Sequence, residues 1–280
     1  MENKKLFWAN VIKGVFACCA IMVMIFSAGL TANAQTIEEQ DDNDTLETAQ
    51  YISANRETAS GCVNGTYSGQ YVVNGYTNSS DDDWYKVYLS AGTQYVTCNG
   101  GSYSFTVHDA DGQAVYSNTY TNTGTGMRAF PFTVSASDYY YVKVTGLTSS
   151  LANYKLLVGS PTYSVSNYST TLSSITFSGS DVSRYLYLSS NASIPSGSTV
   201  YTVTISNVGS TATNGVTVKN SSTGTSLSLS ASNLSKSGLV SYNMPTRATW
   251  TFTFKYKKST TINPKVTLYY VYPVTSTLVN

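Results

Sequence analysis

A regular alternation of apolar and polar side chains constrains the fold of this 280-residue chain more than any other feature. Tyr85, Val87 and Leu89 fall on one face of such a segment, and Trp250 and Phe252 do the same near the C-terminus. A period of two places successive side chains on opposite faces of a β-strand, so each segment predicts a strand with one buried face. The segments recur about every 10 residues, separated by Gly, Asn and Asp, and long helical periodicity is absent. The pattern predicts an all-β chain built from two antiparallel β-sandwiches.

The N-terminus has the pattern of a secretory signal peptide. Three lysines, Lys4, Lys5 and Lys13, precede an apolar run at residues 15–30, and residues 32–34 (Ala-Asn-Ala) offer small side chains at the positions that a signal peptidase recognises. A retained membrane anchor is the alternative, but the run of about 16 residues is shorter than the roughly 20 needed to span a bilayer. Cys18 and Cys19 lie in the middle of the run, which argues against a lipidation site. We expect cleavage after Ala34, no later membrane span, and a mature chain that is secreted or loosely associated with the cell surface.

Two cysteines, Cys62 and Cys98, remain in the predicted mature chain. In an oxidising compartment such a pair is typical of one disulfide. It would close a loop of about 36 residues and stabilise the fold by roughly 3–4 kcal/mol on the loop-entropy model. Spacing alone does not fix disulfide geometry, so two free buried thiols are the alternative. We predict the disulfide.

The mature chain divides into two halves of opposite charge. Residues 35–160 contain 13 Asp or Glu and 5 Lys or Arg, whereas residues 161–280 contain one acid, Asp181, and 8 Lys or Arg. Such asymmetry is a domain-level signal. It could mean that the basic half meets an anionic polymer or attracts the acidic half, or it could be a chance division of charges screened beyond about 8–10 Å. We predict a signal peptide at 1–34, one sandwich at 35–160 and a second at 161–280.

Short motifs in the first half match those of a known family in order and spacing. They are Asn43-Asp44-Thr45 with Ala49, Asp81-Asp82-Asp83-Trp84-Tyr85, Ala91-Gly92, Asp109-Ala110-Asp111-Gly112, Tyr139-Tyr140-Tyr141-Val142-Lys143-Val144 and Asn153-Tyr154-Lys155-Leu156. On these residues the stretch 41–158 resembles the bacterial pre-peptidase C-terminal domain, a relative of the collagen-binding domains of clostridial collagenases. The resemblance implies a jelly-roll-like sandwich that usually accompanies secreted enzymes as a binding or maturation module. Two features depart from it: Asp138 stands where Gly is common, and no peptidase sequence is present.

The same resemblance implies a calcium site. Related collagen-binding domains hold calcium between the segment that leads into the sandwich and an Asp-x-Asp turn. The residues at the matching positions are Asp41, Asn43, Asp44, Asp81 and Asp83, with Asp41 standing where Glu is common. Calcium takes six to eight oxygen ligands, and these carboxylates would repel one another without a cation. A bound calcium ion would therefore attach the leading segment, which contains Asp41, Asn43 and Asp44, to the sandwich. The alternative is a solvated acidic loop.

A hairpin pattern marks the second half. It runs from Tyr201 to Ser210 and continues at Val216-Thr217-Val218. On this pattern the second half resembles the immunoglobulin-like modules of bacterial surface proteins. Because the pattern recurs in many unrelated sandwiches, it indicates a fold and no particular function.

The sequence offers little for catalysis. His108 is the single histidine, so a Ser-His-Asp triad or a His-rich zinc site would depend on it. The chain has no Gly-x-Ser-x-Gly, His-Glu-x-x-His or paired Cys-x-x-Cys motif. Carboxylates alone could serve a glycosidase, but the acids bunch in turns that resemble a calcium site. We predict a protein that is not an enzyme.

The 24 tyrosines are the remaining functional signal. Tyr combines a rigid contact area with a hydroxyl group and suits flat binding surfaces for protein or sugar. Side chains alternate along residues 139–141, and we predict a ligand surface at Tyr139 and Tyr141. The alternative is that exposed Tyr simply decorates β-rich exported proteins.

Together these features predict a secreted, non-catalytic protein that binds an extracellular or cell-surface polymer, either protein or polysaccharide. A structural or accessory subunit that docks onto a partner protein or an exported enzyme is the alternative. Nucleic acid is disfavoured as a partner because of the export signal and the overall charge of +1. Membrane contact is expected only through the signal peptide, and no oligomeric state is predicted.

Overall fold

The computed structural model describes residues 34–124, 126–209 and 211–274. The predicted signal peptide, apart from its last residue, lies outside these ranges. Within them, no helix has the length and apolar character needed to cross a bilayer.

The described chain is almost entirely β-structure, which confirms the all-β prediction. Its elements are β1 (Gln35–Glu38), β2 (Gln50–Tyr51), α1 (Ala59–Val63), β3 (Tyr71–Thr77), β4 (Asp82–Leu89), β5 (Gly92–Gly100), β6 (Tyr103–His108), β7 (Ala114–Tyr120), β8 (Arg128–Val134), β9 (Asp138–Gly146), β10 (Ala152–Gly159), β11 (Tyr163–Thr171), β12 (Ile175–Thr176), β13 (Val182–Tyr187), β14 (Thr199–Ser206), β15 (Thr213–Asn220), β16 (Ser226–Ser230), β17 (Ser235–Ser237), the 3-10 helix η1 (Val240–Tyr242), β18 (Thr249–Tyr256), β19 (Thr261–Ile262) and β20 (Lys265–Pro273).

Strands β1 to β10 form two five-stranded sheets. Their orders are β1-β3-β10-β5-β8 and β2-β4-β9-β6-β7. The short strands β1 and β2 pair in parallel with β3 and β4, and the other pairings are antiparallel. Tyr85, Val87 and Leu89 are buried on the inner face of β4, in one hydrophobic core with Val96 and Phe130 of the other sheet. The predicted phase of the alternation is therefore the observed one, and this first sandwich is held by burial of apolar area at about 25 cal/mol per Å².

Strands β11 to β20 form a second sandwich. Its sheets have the orders β11-β20-β14-β17 and β13-β18-β15-β16, with β12 and β19 as a separate pair. All these pairings are antiparallel. Trp250, Phe252 and Phe254 of β18 are buried in one core with Leu268 and Tyr270 of β20. In the described part of the chain, no strand of the first sandwich pairs with a strand of the second.

A small joint connects the two sandwiches. The Asn55 side-chain amide donates to the Ser160 carbonyl oxygen at 2.7 Å, and the Ser160 N–H donates to the Asn55 carbonyl oxygen at 2.8 Å. The Tyr163 N–H donates to Glu57 Oε2 at 3.3 Å. Helix α1 packs against β11 and β20. The joint is thus built from hydrogen bonds of backbone and side-chain groups and from one short helix.

Glu57 is a buried carboxyl group at the centre of this joint. Gln70 Nε2 donates to its Oε2 at 3.0 Å, while Oε1 is buried with no hydrogen-bond partner among the described residues. Burial raises the pKa of Glu57 from 4.5 to about 7, although the hydrogen bonds from Gln70 and Tyr163 lower it. The joint therefore contains a group that changes charge near neutral pH.

The predicted disulfide between Cys62 and Cys98 is wrong. Both residues are free and buried. Cys98 lies in the core of the first sandwich, whereas Cys62 projects from α1 and packs against Val271 of the second sandwich. The helix turns Cys62 away from the core that holds Cys98, so the two sulfur atoms belong to different hydrophobic clusters. Burial raises the pKa of each thiol to about 12, which keeps both in the unreactive neutral form.

Both thiols are predicted to resist iodoacetamide in native 35–280 and to react fully after unfolding without a reductant. The physical reason is burial, which removes access and suppresses the thiolate. Intact-mass spectrometry counts the adducts. An unfolded, unreduced protein that takes up no label would show that a disulfide exists and would contradict this assignment.

The Glu57→Gln substitution is predicted to flatten the dependence of stability on pH. Because the folded pKa lies above the unfolded value, the folded state binds the proton more tightly. This contribution is fully present below pH 4.5 and is lost as the pH rises through 7, on the order of 3 kcal/mol in total. Thermal unfolding over a pH series measures it, with the exposed-site variant Glu47→Gln as the control. Identical slopes for Glu57→Gln and the wild type would refute this role.

Candidate functional site

Three carboxyl groups meet at one end of the first sandwich. Oxygen atoms of Glu39, Asp81 and Asp83 lie within 4.8 Å of one another. Glu39 follows β1, and its N–H donates to the Asn74 carbonyl oxygen of β3 at 2.9 Å. Asp81 stands in the turn that follows β3, and Asp83 lies in β4. The parallel β1–β3 pairing and the β3–β4 turn therefore bring the three acids together.

Asp83 is the unusual member of this acidic cluster, since it is only 1% exposed. Both of its carboxyl oxygens are buried without a hydrogen-bond partner among the described residues. Burial, and next to it the Glu39 carboxyl group, raise the pKa of Asp83 well above its ordinary range. Burial and the charge of Glu39 also raise the pKa of Asp81. An unpaired buried carboxylate is costly, so Asp83 must be either protonated or paired with a cation.

Neighbouring groups fix the geometry of the cluster. Glu39 Oε2 accepts a hydrogen bond from the Tyr76 N–H at 2.6 Å. The hydroxyl groups of Tyr85 and Tyr154 hydrogen-bond to each other in the core beside it. A Cβ atom at Gly75 would lie 2.7 Å from Glu39 Oε2, so only glycine permits this close approach. The carboxyl groups are thus held by backbone and by a packed core.

The donor set fits a hard cation. It consists of carboxylate oxygens, with the Asn43 amide oxygen also buried and unpartnered nearby in sequence and structure. The Asn43 carbonyl oxygen accepts from the Trp84 N–H at 2.8 Å, which ties the leading segment to β4 beside Asp83. Oxygen ligands without nitrogen or sulfur are typical of calcium.

The structure distributes the five sequence-predicted ligands unequally. Asp81 and Asp83 lie in the cluster, and Asn43 is buried and bonded to β4 beside it. Asp44 is exposed, but its charge contributes to the raised pKa of Asp81. Asp41 is exposed in the turn and is not part of the cluster.

Glu39 was missed by sequence reasoning. The stretch that resembles the family begins at Asp41, two residues after Glu39. Strand β1 has no long alternating pattern that would identify it as a strand. A signal was nevertheless present, because Glu39 belongs to a run of acids that continues to Asp44. Only the pairing of β1 with β3 shows which of these acids turns inwards.

A second feature lies on the outer surface of the sheet that contains β4. We call it the tyrosine face, and it consists of Tyr51, Lys86, Tyr88, Tyr139 and Tyr141. Lys86 pairs with Tyr51 on one side and Tyr141 on the other, while Tyr88 pairs with Tyr139. The predicted pair Tyr139 and Tyr141 does share this outer face, since Tyr140 between them is buried in the core.

Three rings of the tyrosine face are exposed, the Tyr141 ring is half-buried, and neighbouring rings lie close together. Tyr51 is 61% exposed, Tyr88 41% and Tyr139 39%. The Tyr88 and Tyr139 ring centroids are 5.4 Å apart, and those of Tyr51 and Tyr139 are 6.3 Å apart. Lys86 Nζ lies 4.8 Å from the Tyr139 centroid and 5.4 Å from that of Tyr141. Exposed aromatic side chains from three neighbouring strands therefore lie next to one another on this surface.

Comparisons with known proteins found solved structures of low sequence identity. No family model and no curated protein matches the chain. A protein of Eubacterium rectale presumed to be secreted is 14% identical, with a TM-score of 0.48 over 87% of this chain and 89% of that one. The pre-peptidase C-terminal domain of a collagenase from Bacillus anthracis is 16% identical, with a TM-score of 0.27 over 39% of this chain and 93% of that domain. PliG, a periplasmic inhibitor of g-type lysozyme from Aeromonas hydrophila, is 16% identical, with a TM-score of 0.24 over 39% and 98%.

Calcium is predicted to raise the unfolding temperature of 35–280, and Asp83→Asn to abolish that response. Calcium at 100 times its dissociation constant stabilises a folded state by about 2.7 kcal/mol. Without calcium, Asp83→Asn is expected to unfold at a higher temperature than the wild type. The reason is that a raised carboxyl pKa costs stability as the pH rises, and the amide removes that cost.

Scanning calorimetry at neutral pH, with calcium and with a chelator, measures both effects. The control Asp111→Asn lies in the exposed turn between β6 and β7 and should respond to calcium like the wild type. A wild-type unfolding temperature that calcium leaves unchanged would argue against a metal centre here.

Proposed function

We propose that this protein is a secreted, non-catalytic binding protein that attaches to an extracellular polymer through the tyrosine face. The observation that carries the proposal is the set of exposed rings of Tyr51, Tyr88 and Tyr139 on one outer sheet surface. The N-terminal pattern of residues 1–34 supports the secreted location.

The shape of the face suits a polymer. Its rings come from three adjacent strands, β2, β4 and β9, and neighbouring strands lie roughly 4.8 Å apart. An extended chain lying across the strands contacts several rings at once, and each ring adds a hydroxyl group at its edge. Rigid tyrosine side chains lose little conformational entropy on binding, which favours a weak contact repeated along a polymer.

The proposed calcium ion supports this face through the leading segment. Glu39, Asp81 and Asp83 would hold the ion, which supplies the positive charge that offsets three close carboxylates. Gln50 Nε2 donates to the Glu38 carbonyl oxygen at 2.8 Å, and the Gln40 N–H donates to Gln50 Oε1 at 3.1 Å. Tyr51 is the next residue, in a strand of only two residues. Fixing the leading segment therefore fixes the position of Tyr51.

Purified 35–280 is predicted to pellet in a saturable manner with at least one insoluble matrix among cell wall, collagen, chitin and cellulose. The double substitution Tyr88→Ala/Tyr139→Ala should weaken pelleting about tenfold or more, since buried aromatic anchors dominate most interfaces. A chelator should weaken it as well, because Tyr51 then loses its support.

The matched control is Tyr185→Ala/Tyr187→Ala, which removes two exposed tyrosines from β13 of the second sandwich. Control and wild type should pellet alike, and unfolding temperatures should confirm that all variants fold. Equal loss in both double variants would show that exposed tyrosine in general is responsible. If the protein pellets with none of the matrices, the result would contradict polymer binding and direct attention to a protein partner.

A further inference from the structure

We propose that the polymer bound by the tyrosine face is an acidic polysaccharide. Lys86 and Arg56 hold its carboxylate groups while the sugar rings lie on the tyrosines. This inference rests on the proposed function and adds the chemical class of the ligand.

Lys86 provides the first observation, because its charge has no carboxylate partner. The ion pairs in the described part of the chain are Lys143–Asp82 at 2.7 Å and Lys255–Asp181 at 2.9 Å, and Lys86 belongs to neither. Its ammonium group instead lies over the Tyr139 and Tyr141 rings. Cation–π contacts orient the group but leave its net charge in place. The centre of the tyrosine face is thus positively charged.

Arg56 provides a second cation at the border of the face. With Tyr51 and Tyr88 it lines a shallow depression of about 100 Å³. Arg56 is exposed, and it takes part in neither of the two ion pairs. A guanidinium group binds a carboxylate through two parallel hydrogen bonds, which fixes the orientation of the ligand. Tyr88 lines this depression with Arg56, and it follows Lys86 by two residues in β4, on the same face of the strand.

Charge complementarity decides in favour of an acidic ligand. A neutral polymer covering the face would desolvate Lys86 without compensating its charge, whereas a carboxylate would neutralise it. On the outer face of β4, the neighbouring carboxylate of Asp82 is already paired with Lys143. Asp138, which precedes Tyr139 in β9, accepts a hydrogen bond from the Tyr139 N–H at 2.7 Å and is in neither of the two ion pairs of the described residues.

The exposed aromatic rings of the face favour sugar over peptide. Peptide recognition usually relies on a groove, a free sheet edge or pockets for alternate side chains. The rings of Tyr51, Tyr88 and Tyr139 lie on the outer surface of the sheet and are inclined to one another by 64° and 75° in edge-to-face pairs. A pyranose ring of a polymer can stack on one of these rings while a neighbouring ring presents its hydroxyl edge. The tyrosine pair in β13 offers a contrast. The Tyr185 and Tyr187 rings are 6.2 Å apart, and no cation–π contact is found there among the described residues.

Affinity electrophoresis of 35–280 tests the inference. Native gels contain polygalacturonate or hyaluronate, or the methyl ester of either, at the same trace calcium concentration. The ester keeps the sugar chain and removes its charge. At least one acidic polymer should retard the protein, and its ester should bind about tenfold more weakly, as expected for the loss of a hydrogen bond to a charged group. Added salt should weaken the acidic interaction.

Lys86→Met supplies the decisive variant, because methionine keeps the length of the stem and removes the charge. It should lower the affinity for the acidic polymer about tenfold and leave that for the ester unchanged. Lys219→Met, at an exposed site of the second sandwich, should behave like the wild type. Unfolding temperatures check that both variants fold.

The outcomes separate this inference from the proposed function. Equal binding of acid and ester, no effect of Lys86→Met, or pelleting on neutral matrices alone would overturn the acidic ligand and leave the polymer-binding proposal standing. Retardation by polyglutamate as strong as that by the polyuronates would overturn the polysaccharide class. No retardation in any gel, together with no pelleting on any matrix, would overturn both.

Discussion

The register between β4 and β9 is the constraint on which the rest of the first sandwich depends. Antiparallel pairing sets Tyr85 opposite Val142 and Val87 opposite Tyr140, and all four are buried in the core. The same register sets Lys86 opposite Tyr141 and Tyr88 opposite Tyr139 on the outer surface. A slip of one residue would exchange every inner side chain for an outer one. Burial of the inner row therefore fixes the positions of Tyr88, Tyr139 and Tyr141 in the tyrosine face.

This register has an electrostatic cost at Asp83, because the alternation of β4 turns the Asp83 side chain inwards. Its carboxyl group lies at the end of the sandwich, where it meets Glu39 and Asp81 rather than a hydrogen-bond donor. A proton or a cation must offset the resulting repulsion. The leading segment is bonded to the sandwich at the same place, through Asn43 and Gln50. Electrostatics at Asp83 and order in the segment before Tyr51 are thus physically linked.

The joint between the sandwiches depends on hydrogen bonds and on one short helix, and not on strand register. The Asn55 side-chain amide and the Glu57 carboxyl group each take part in one of its hydrogen bonds, so its geometry depends on these two side chains as well as on backbone groups of Ser160 and Tyr163. Helix α1 buries Cys62 against the second sandwich. Glu57 is a buried acid of this joint, and its pKa, raised to about 7, makes the joint sensitive to pH near neutrality.

Local pattern in the sequence was sufficient for the long strands and for the sharing of one face by Tyr139 and Tyr141. Both depend on the two-residue period of a strand, which can be recognised from adjacent residues in the sequence. The resemblance brought Asp81 and Asp83 forward as metal ligands, and the structure places both in one cluster. Three features required tertiary structure: the place of Glu39 in that cluster, the separation of Cys62 from Cys98, and the joining of Tyr51, Lys86 and Arg56 to the tyrosine face. Each depends on contacts between segments distant in sequence, such as β1 with β3 and β2 with β4. The sequence by itself determined which side chains of a long strand share a face, because that alternation is local. Tertiary structure alone decided which strands lie side by side, because that arrangement minimises the exposed apolar area of the whole chain.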